Sequence, residues 1–244
     1  MTGSLTITGL GPGDAGLITP EVSLALAVAT DIFGYGPYVA RVPAREGLVL
    51  HASDNRQELQ RATEAMRLAA EGRRVVIVSS GDPGVFAMDA AVFEALEASP
   101  QWHGLAIRVL PGVTAMLAAA ARAGAPLGHD FCAINLSDNL KSWPVIEQRL
   151  RLAAEADFAI ALYNPRSASR PEGFGRALDI LKHAGCGDRI MILAHAVTTA
   201  EERIESLPLR DASPEMADMR TLVIVGNSST RRVGRWIYAP RGVS

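Results

Sequence analysis

The chain has 244 residues, of which 48% are hydrophobic and 20% are charged, and its formal net charge is −2. This composition is typical of a globular protein with one sizeable domain or two small ones. The negative net charge argues against a nucleic-acid-binding protein, which normally carries a surplus of basic residues. The sequence has no signal-type segment and no uncharged stretch of membrane-spanning length, so we expect a soluble, cytoplasmic protein without a membrane partner.

The cysteines and histidines predict neither disulfides nor a metal site. Cys132 and Cys186 are the only two cysteines, and they lack the spacing of a zinc site or of a redox pair. The five histidines are scattered along the chain without the spacing of metal ligands. We therefore expect no bound metal.

The first half of the chain alternates strand-like and helix-like segments. Strands are predicted at residues 4–10, 31–35, 47–50, 74–79 and 106–110, and helices at 19–29, 54–71, 85–98 and 115–124. Strands that alternate with helices of this length favour an α/β fold with a largely parallel sheet covered on both faces.

The second half has a different spacing of elements, which predicts a mixed sheet. Strands are expected at residues 131–137, 158–163, 189–195 and 221–226, with helices at 144–156 and 173–184 and a short one near 200–205. We therefore predict two αβα domains, an N-terminal one at residues 1–111 and a C-terminal one at 112–244. A cofactor trough between two such domains follows naturally.

A glycine-rich turn follows the first predicted strand. Residues 9–14 read GLGPGD, and residues without a Cβ allow the backbone to approach a ligand closely. The spacing fits neither the dinucleotide fingerprint nor a phosphate-binding P-loop. A plain turn between strand and helix explains one or two of these glycines but not the whole motif.

Two further turns of the same kind follow later strands. Residues 79–86 read SSGDPGVF after the apolar run 74–78, and residues 110–115 read LPGVTA after strand 106–110. Asp82 could bind an amino group or a ribose hydroxyl, cap a helix that begins near Pro83, or do both. Thr114 could cap the following helix or contact a ligand. Since the carboxyl ends of strands line the ligand crevice in open α/β sheets, we expect these turns to converge.

Taken together, the three turns resemble those of the tetrapyrrole methylases, the class III S-adenosylmethionine-dependent methyltransferases. Further stretches resemble the members that methylate a precorrin and contract its ring during cobalamin biosynthesis. They are residues 35–38 (YGPY), residues 136–138 (LSD) with Trp143, and residues 162–167 (LYNPRS) with Arg170. The resemblance implies a homodimer that methylates a tetrapyrrole and converts S-adenosyl-L-methionine into S-adenosyl-L-homocysteine.

The resemblance also implies which residues contact the cofactor. In the first domain and at the domain boundary they are Pro12, Ser80, Gly81, Asp82, Val85, Thr114 and Ala115. In the second domain they are Tyr163 or Asn164, a residue near Ala194 to Ala196, with Ala196 as the choice, and Thr221. Any one of Ala196, Thr198 and Thr221 could equally be a packing or turn residue.

Methyl transfer needs positioning and the exclusion of water rather than a nucleophilic side chain. Ring contraction also requires proton transfer, for which Asp82, Asp138, His129 or a carboxylate of the substrate could serve; His195 is a weaker candidate. The sequence does not choose among them.

A precorrin carries a rim of carboxylates, and arginine binds carboxylates through two parallel hydrogen bonds. Arg166 and Arg170 are the first candidates for this role. Arg41, Lys141, Arg231 and Arg232 come after them, because a solvated surface charge explains each of these four better.

Three alternatives remain open at this point. The chain could methylate another ring carbon of a precorrin or cobalt-precorrin, or it could methylate ribosomal RNA or a protein side chain, although the negative charge disfavours RNA. It could also be a non-catalytic nucleotide-binding α/β protein that uses the same turns.

Overall fold

The computed structural model describes residues 3–242. The chain divides into two compact units, Met1–Thr114 and Ala115–Ser244. The domain boundary near residue 111 stays a prediction, since compactness alone does not show where an independently folding domain ends.

The first unit is built on a five-stranded sheet. Its strands are β1 (Ser4–Gly9), β2 (Asp31–Tyr35), β3 (Val49–Ser53), β4 (Arg74–Ser79) and β5 (Ala106–Leu110), in the order β3-β2-β4-β1-β5. All neighbouring strands run parallel. The predicted parallel sheet is thereby confirmed, and the carboxyl ends of all five strands lie at one edge.

Helices cover both faces of this sheet. They are α1 (Pro20–Val28), α2 (Gly36–Val39), α3 (Glu58–Ala70) and α4 (Met88–Glu97). Successive side chains of a strand point to opposite faces, so Val75 and Ile77 of β4 join the core under α3 and α4. Val76 and Val78 join the core under α1 and α2.

The second unit contains a mixed sheet, as predicted. Its elements in chain order are α5 (Ala115–Ala123), β6 (Gly124–Ala125), β7 (Phe131–Asn135), α6 (Trp143–Glu155), β8 (Ala159–Tyr163), α7 (Gly173–His183), β9 (Ile190–His195), β10 (Arg203–Pro208), β11 (Thr221–Val225), β12 (Arg231–Val233) and β13 (Trp236–Tyr238). The main sheet has the order β10-β9-β11-β8-β7, with β7 and β8 parallel and the other pairs antiparallel. A small sheet of β12, β13 and β6 was not predicted.

One predicted helix is wrong. The segment near 200–205 was expected to be helical, but the chain forms β10 from Arg203, paired antiparallel with β9. Along β10 the exposed Arg203 and Glu205 alternate with the half-buried Ile204 and Ser206. Pairing with a buried strand thus overrides the helical composition of this segment.

Short helices and turns complete the described chain. Single turns of 3-10 helix lie at Ala15–Leu17, Pro100–Trp102, Leu209–Asp211 and Pro214–Met216. Between residues 3 and 242, no helix is both long enough and apolar enough to cross a bilayer.

The three glycine-rich turns of the first unit meet at the carboxyl edge of its sheet. A Cβ placed on Gly9 would lie 2.2 Å from the carbonyl oxygen of Gly81 and 2.9 Å from the Cα of Gly112. A Cβ placed on Gly112 would lie 2.2 Å from the same oxygen. The three backbones therefore pack directly on one another, and no residue with a side chain fits at Gly9 or Gly112.

This packing predicts a large and local effect of one added methyl group. Gly112→Ala should lower the free energy of unfolding by about 2–4 kcal/mol, because the new methyl clashes with backbone that cannot move alone. Urea unfolding of the purified protein measures this. Gly104→Ala is the matched control, because its Cβ would meet no atom within 4 Å. Equal stability of the two variants would contradict the close packing of the turns.

Candidate functional site

Hydrogen bonds join the first and second turns of the first unit. The N–H of Gly11 donates to the carbonyl oxygen of Gly81 at 3.2 Å, and the N–H of Gly81 donates to the carbonyl oxygen of Gly11 at 3.0 Å. Both glycines have positive φ, +66° and +65°. Left-handed backbone of this kind is readily available only to glycine, so these two residues are specified by the shape of the turns.

Asp82 joins the second turn to the third. Its Oδ1 accepts a hydrogen bond from the N–H of Gly84 at 2.9 Å, and its Oδ2 accepts one from the N–H of Gly112 at 3.0 Å. Of the two roles left open for Asp82, the helix cap is excluded, because α4 begins only at Met88 and its N-cap residue is Ala87. The carboxylate of Asp82 instead fixes the relative positions of two turns.

The second turn contains polar atoms without a protein partner. Within the described residues, the buried side-chain atoms that lack a hydrogen bond are Ser79 Oγ, Asp89 Oδ1 and Arg189 Nη1. Two of these three flank the same turn, Ser79 at the end of β4 and Asp89 in the first turn of α4. An unpaired buried polar atom is costly, so this edge of the sheet is suited to a polar ligand.

Asp89 is a residue that the sequence analysis missed. A Cβ placed on Gly84 would lie 3.2 Å from Asp89 Oδ2 and 3.3 Å from Asp82 Oδ1, so the two carboxyl groups flank one position. Burial, and then the negative charge of Asp82, raise the pKa of Asp89 to about 6. Only the fold brings this pair together.

Phe86 is the last residue of the second turn, and the sequence analysis did not predict it as a site residue. Its side chain is 46% exposed, and its backbone has a φ of +54°. A bulky residue in this region is strained, and such strain concentrates at functional sites. The remaining predicted residues Pro12, Ser80, Val85 and Thr114 also belong to the three turns, whereas Ala115 begins α5.

The second unit also gathers its predicted residues at one edge of a sheet. Tyr163 ends β8, Ala196 follows β9, and Thr221 begins β11. Because β11 runs antiparallel to both β8 and β9, its amino end lies beside their carboxyl ends. Thr221 pairs with His195, and the N–H of Ala196 donates to the carbonyl oxygen of Arg220 at 2.9 Å.

Backbone strain accompanies this edge. Asn164, Ala196 and Thr198 have φ values of +52°, +46° and +68°. Asn164 and Ala196 directly follow β8 and β9, and Thr198 is the third residue after β9. Non-glycine residues in the left-handed region are uncommon, and three of them at one sheet edge support the prediction that Asn164 and Ala196 belong to a site.

Side-chain contacts hold this edge together. The Nδ2 of Asn164 donates to Oδ1 of Asn135, at the end of β7, at 3.0 Å. The hydroxyl oxygen of Tyr163 accepts from the N–H of Met116 at 3.2 Å. Asn135, which the sequence analysis missed, thus orients one predicted residue, and Tyr163 contacts the first turn of α5.

Thr221 belongs to a small polar cluster at the same edge. Its Oγ1 donates to Asp218 Oδ1 at 2.8 Å, and Nδ1 of His195 lies 3.4 Å from both of these oxygens. Hydrogen bonds from Thr221 and the backbone of Arg220, together with the nearby His195, lower the pKa of Asp218 against the opposing effect of burial. These contacts therefore favour the negatively charged form of the Asp218 carboxyl group.

A cavity of about 520 Å³ opens within the second unit, lined by Arg166, Ser167, Ala168, Pro171, Asp218, Met219 and Arg220. Arg220 is paired with Glu201 at 2.8 Å. Arg166 donates to the carbonyl oxygen of Pro171 at 3.3 Å, and the guanidinium of the nearby Arg170 makes only long contacts, of 3.5 Å, to the carbonyl oxygen of Asn164 and to Met219 Sδ. Neither Arg166 nor Arg170 has an ion-pair partner in the described part of the chain, so both can bind an anion.

Asp138 and His129, two of the acid–base candidates of the second unit, lie far apart. Asp138 is exposed beyond the carboxyl end of β7, whereas His129 precedes its amino end. His129 Nδ1 accepts a hydrogen bond from the N–H of Asp130 at 2.7 Å. The five residues of β7 span roughly 16 Å, so Asp138 and His129 do not act as a pair.

Metal ligands and reactive thiols do not appear at either edge. No group of histidine, cysteine, aspartate and glutamate within residues 3–242 could hold a metal ion. Both cysteines are free, and burial raises the pKa of each thiol. Their sulfurs are thus poor nucleophiles.

The raised pKa of Asp89 predicts a pH-dependent stability. Between about pH 4 and pH 6 the folded protein retains a proton on Asp89 that the unfolded chain has lost, so the free energy of unfolding falls as the pH rises through this range. Because Asp89 is only partly buried, we expect a loss of about 1–2 kcal/mol. Asp89→Asn should therefore be more stable than the parent above pH 6 by this amount and similar to it at pH 4.

Thermal unfolding of both proteins between pH 4 and pH 8 measures this difference. Glu94→Gln is the matched control, because Glu94 is an exposed carboxylate on the same helix. Parallel stability curves for Asp89→Asn and the parent would contradict the assignment.

Comparison with known proteins agrees with the α/β fold of the chain. A family model described as Tetrapyrrole (Corrin/Porphyrin) Methylases matches residues 4–213. A precorrin-3B C(17)-methyltransferase from Sinorhizobium sp is 51% identical over 247 residues, which cover 99% of this chain and 97% of the relative.

Solved structures match as well. The crystal structure of the methyltransferase CobJ has a TM-score of 0.96 and 66% identity, covering 98% of this chain and all of that one. A uroporphyrin-III C-methyl transferase from Thermus thermophilus, complexed with S-adenyl homocysteine, has a TM-score of 0.67 at 22% identity and covers 92% of this chain and 97% of that one, which shows the shared fold alone. The chain belongs to the tetrapyrrole methylase family.

Proposed function

We propose that this chain methylates carbon 17 of precorrin-3B with S-adenosyl-L-methionine and contracts the ring to give precorrin-4, in cobalamin biosynthesis. The observation that carries the proposal is the 51% identity to a precorrin-3B C(17)-methyltransferase along almost the full length of both chains. The convergent turns and the unpaired arginines supply the two kinds of binding group that this reaction needs.

The three turns of the first unit are proposed to bind S-adenosyl-L-methionine. Glycines leave the backbone accessible there, and Ser79 Oγ and Asp89 Oδ1 lack protein partners. These features fit a ligand with hydroxyl, amino and carboxylate groups. The proposed contacts in this part of the chain are Pro12, Ser80, Gly81, Asp82, Val85, Thr114 and Ala115. Tyr163, Asn164, Ala196 and Thr221 of the second unit remain part of the proposal.

Methyl transfer places few chemical demands on the protein. The sulfonium supplies an electrophilic methyl group, which passes to a nucleophilic ring carbon and leaves S-adenosyl-L-homocysteine. The residues of this chain bind, align the two reactants and exclude water. A site of glycines, small hydroxyls and backbone groups suits this task.

Arg166 and Arg170 are proposed to bind carboxylates of the tetrapyrrole. They lie at or near the cavity of the second unit, and neither forms an ion pair within the described residues, although the charge of Arg166 helps to lower the pKa of Glu215. The net charge of the chain is negative, so a polyanionic substrate needs such local cations. Of the other cationic candidates, Arg41 and Arg232 contact protein groups instead.

For proton transfer during ring contraction, the protein candidates are Asp82, Asp138 and His129, with His195 as a weaker one, beside a carboxylate of the substrate. Both carboxylate oxygens of Asp82 accept backbone hydrogen bonds, which suits a positioning role better than proton transfer. Asp138 is exposed and lies three residues beyond Asn135, the last residue of β7. We therefore favour Asp138 over Asp82 as the proton carrier, and over His129 at the other end of the strand.

The proposal also includes a cytoplasmic homodimer. An exposed aromatic side chain could contribute to a dimer interface: Trp236 is 42% exposed, whereas Trp143 is buried in the core of the second unit. Light scattering at micromolar concentration measures the mass, and a monomer would remove the homodimer from the proposal.

The function is tested by incubating the purified protein with precorrin-3B and S-adenosyl-L-methionine that carries a ¹³C-labelled methyl group. Mass spectrometry should show one added methyl group, absorbance should show the contracted macrocycle, and NMR should place the label at carbon 17. A label at another carbon would indicate a related precorrin methyltransferase. Binding of S-adenosyl-L-homocysteine without any turnover would indicate a non-catalytic protein.

Arg166→Ala should weaken precorrin binding by roughly ten- to a hundredfold, since a lost charge-assisted contact costs on the order of 1.5–3 kcal/mol. The affinity for S-adenosyl-L-homocysteine should stay nearly unchanged, because the cofactor is assigned to other residues. Titrations with each ligand measure both affinities.

Arg151→Ala is the control for this variant. It removes the same charge from an exposed position on α6, where Arg151 lies 3.8 Å from Glu155. Normal precorrin binding by Arg166→Ala, or an equal loss for both ligands, would show that the arginine does not serve the substrate.

A further inference from the structure

Arg41 contacts the first glycine-rich turn from a distant part of the chain. Its Nη1 donates to the carbonyl oxygen of Gly11 at 2.9 Å, and its Nη2 donates to those of Leu10 at 2.5 Å and Gly13 at 3.2 Å. One guanidinium thus binds three of the four carbonyl oxygens between residues 10 and 13. The sequence analysis had ranked Arg41 as a minor candidate for the substrate.

The residues before and after Arg41 in the chain are held in place by the fold. α2 follows directly from β2 at the same sheet edge as the turn, and the N–H of Arg41 donates to the carbonyl oxygen of Tyr38 at 3.1 Å. Val39 and Val42, which flank this bend, are buried in the core beneath α1 and α2. The guanidinium is therefore presented from a rigid support.

The distance explains why a long, forked side chain is needed. β2 and β1 are both neighbours of β4, so they lie about 9–10 Å apart. Arginine bridges this gap and presents donors from two nitrogens in a fixed plane, whereas lysine offers a single ammonium. Burial lowers the pKa of the Arg41 guanidinium, but the side chain stays charged because arginine titrates far above neutral pH.

We propose that Arg41 is a positioning residue for the methyl donor: its guanidinium fixes the peptide planes of residues 10–13 in the orientation that receives S-adenosyl-L-methionine. The inference rests on the proposed function, since it takes this turn as part of the cofactor site. It assigns Arg41 to the cofactor and not to the carboxylates of the tetrapyrrole.

The experiment uses the full-length protein with Arg41→Ala, Arg41→Lys and a control. Calorimetric titration with S-adenosyl-L-homocysteine should show a roughly ten- to a hundredfold weaker affinity for Arg41→Ala, because the turn then adopts its binding-competent orientation in only a fraction of the molecules. Arg41→Lys should recover part of this loss. In steady-state assays KM for S-adenosyl-L-methionine should rise, while kcat and the KM for precorrin-3B should change less than about threefold.

Arg45→Ala is the matched control. Arg45 lies four residues further along and also donates to backbone carbonyls, those of Leu26 at 3.0 Å and Ala29 at 2.5 Å, but these belong to the end of α1. It removes the same charge and the same kind of contact without touching the turn. Its cofactor affinity should equal that of the parent.

Amide hydrogen exchange separates this inference from the proposed function. Peptides covering residues 10–14 should exchange faster in Arg41→Ala than in the parent and in Arg45→Ala, whether or not the protein binds the cofactor. Failure of the parent to bind S-adenosyl-L-homocysteine would refute the cofactor site while the exchange data still report on the turn.

Three results would overturn the assignment of Arg41. They are unchanged affinity for S-adenosyl-L-homocysteine in Arg41→Ala, an equal loss in Arg45→Ala, and a loss confined to precorrin-3B binding. An Arg41→Ala protein that does not fold leaves Arg41→Lys as the test, with intermediate affinity expected and parental affinity counting against the inference.

Discussion

The first unit depends on the direct packing of three strand-end turns without side chains between them. Gly9, Gly81 and Gly112 are in backbone contact, and Asp82 joins two of the turns through its two carboxylate oxygens. Parallel strands bring these turns to one edge, and the absence of Cβ atoms lets them close on each other. Polar atoms that remain unpaired at this edge are a consequence of that geometry.

Much of this arrangement is predictable because it depends on local patterns in the amino-acid sequence. Buried strands such as β4 contain uninterrupted apolar runs. The turns after β1, β4 and β5 are recognisable in the sequence by their glycine and proline residues. The rule that ligands bind beyond the carboxyl ends of parallel strands then places these turns together. The parallel sheet of the first unit and the mixed sheet of the second unit were predictable for the same reason, because the length and spacing of the predicted strands differ between the two halves of the chain.

What escaped prediction depends on contacts between residues distant in the chain. The segment near 200–205 has helix-forming residues, yet it pairs with β9 because that strand offers an open edge. Asp89 acquires its raised pKa only from the burial and the neighbouring Asp82 that folding provides. The side chains of Asn135 and Asn164 form a hydrogen bond although they are 29 residues apart in the sequence, and no local pattern predicts such a pair.

Arginines illustrate how one residue type divides between internal support and ligand binding. Arg61 is 5% exposed, yet its donors are met by Ser53, a backbone oxygen and the sulfur of Met88. Such a side chain is committed to its own unit, as Arg41 is to the first turn. Arg166 and Arg170 lack comparable partners. Because charge-assisted contacts already made must be broken before a ligand can use them, we expect the incompletely bonded pair to bind a polyanion more readily than Arg41 or Arg61.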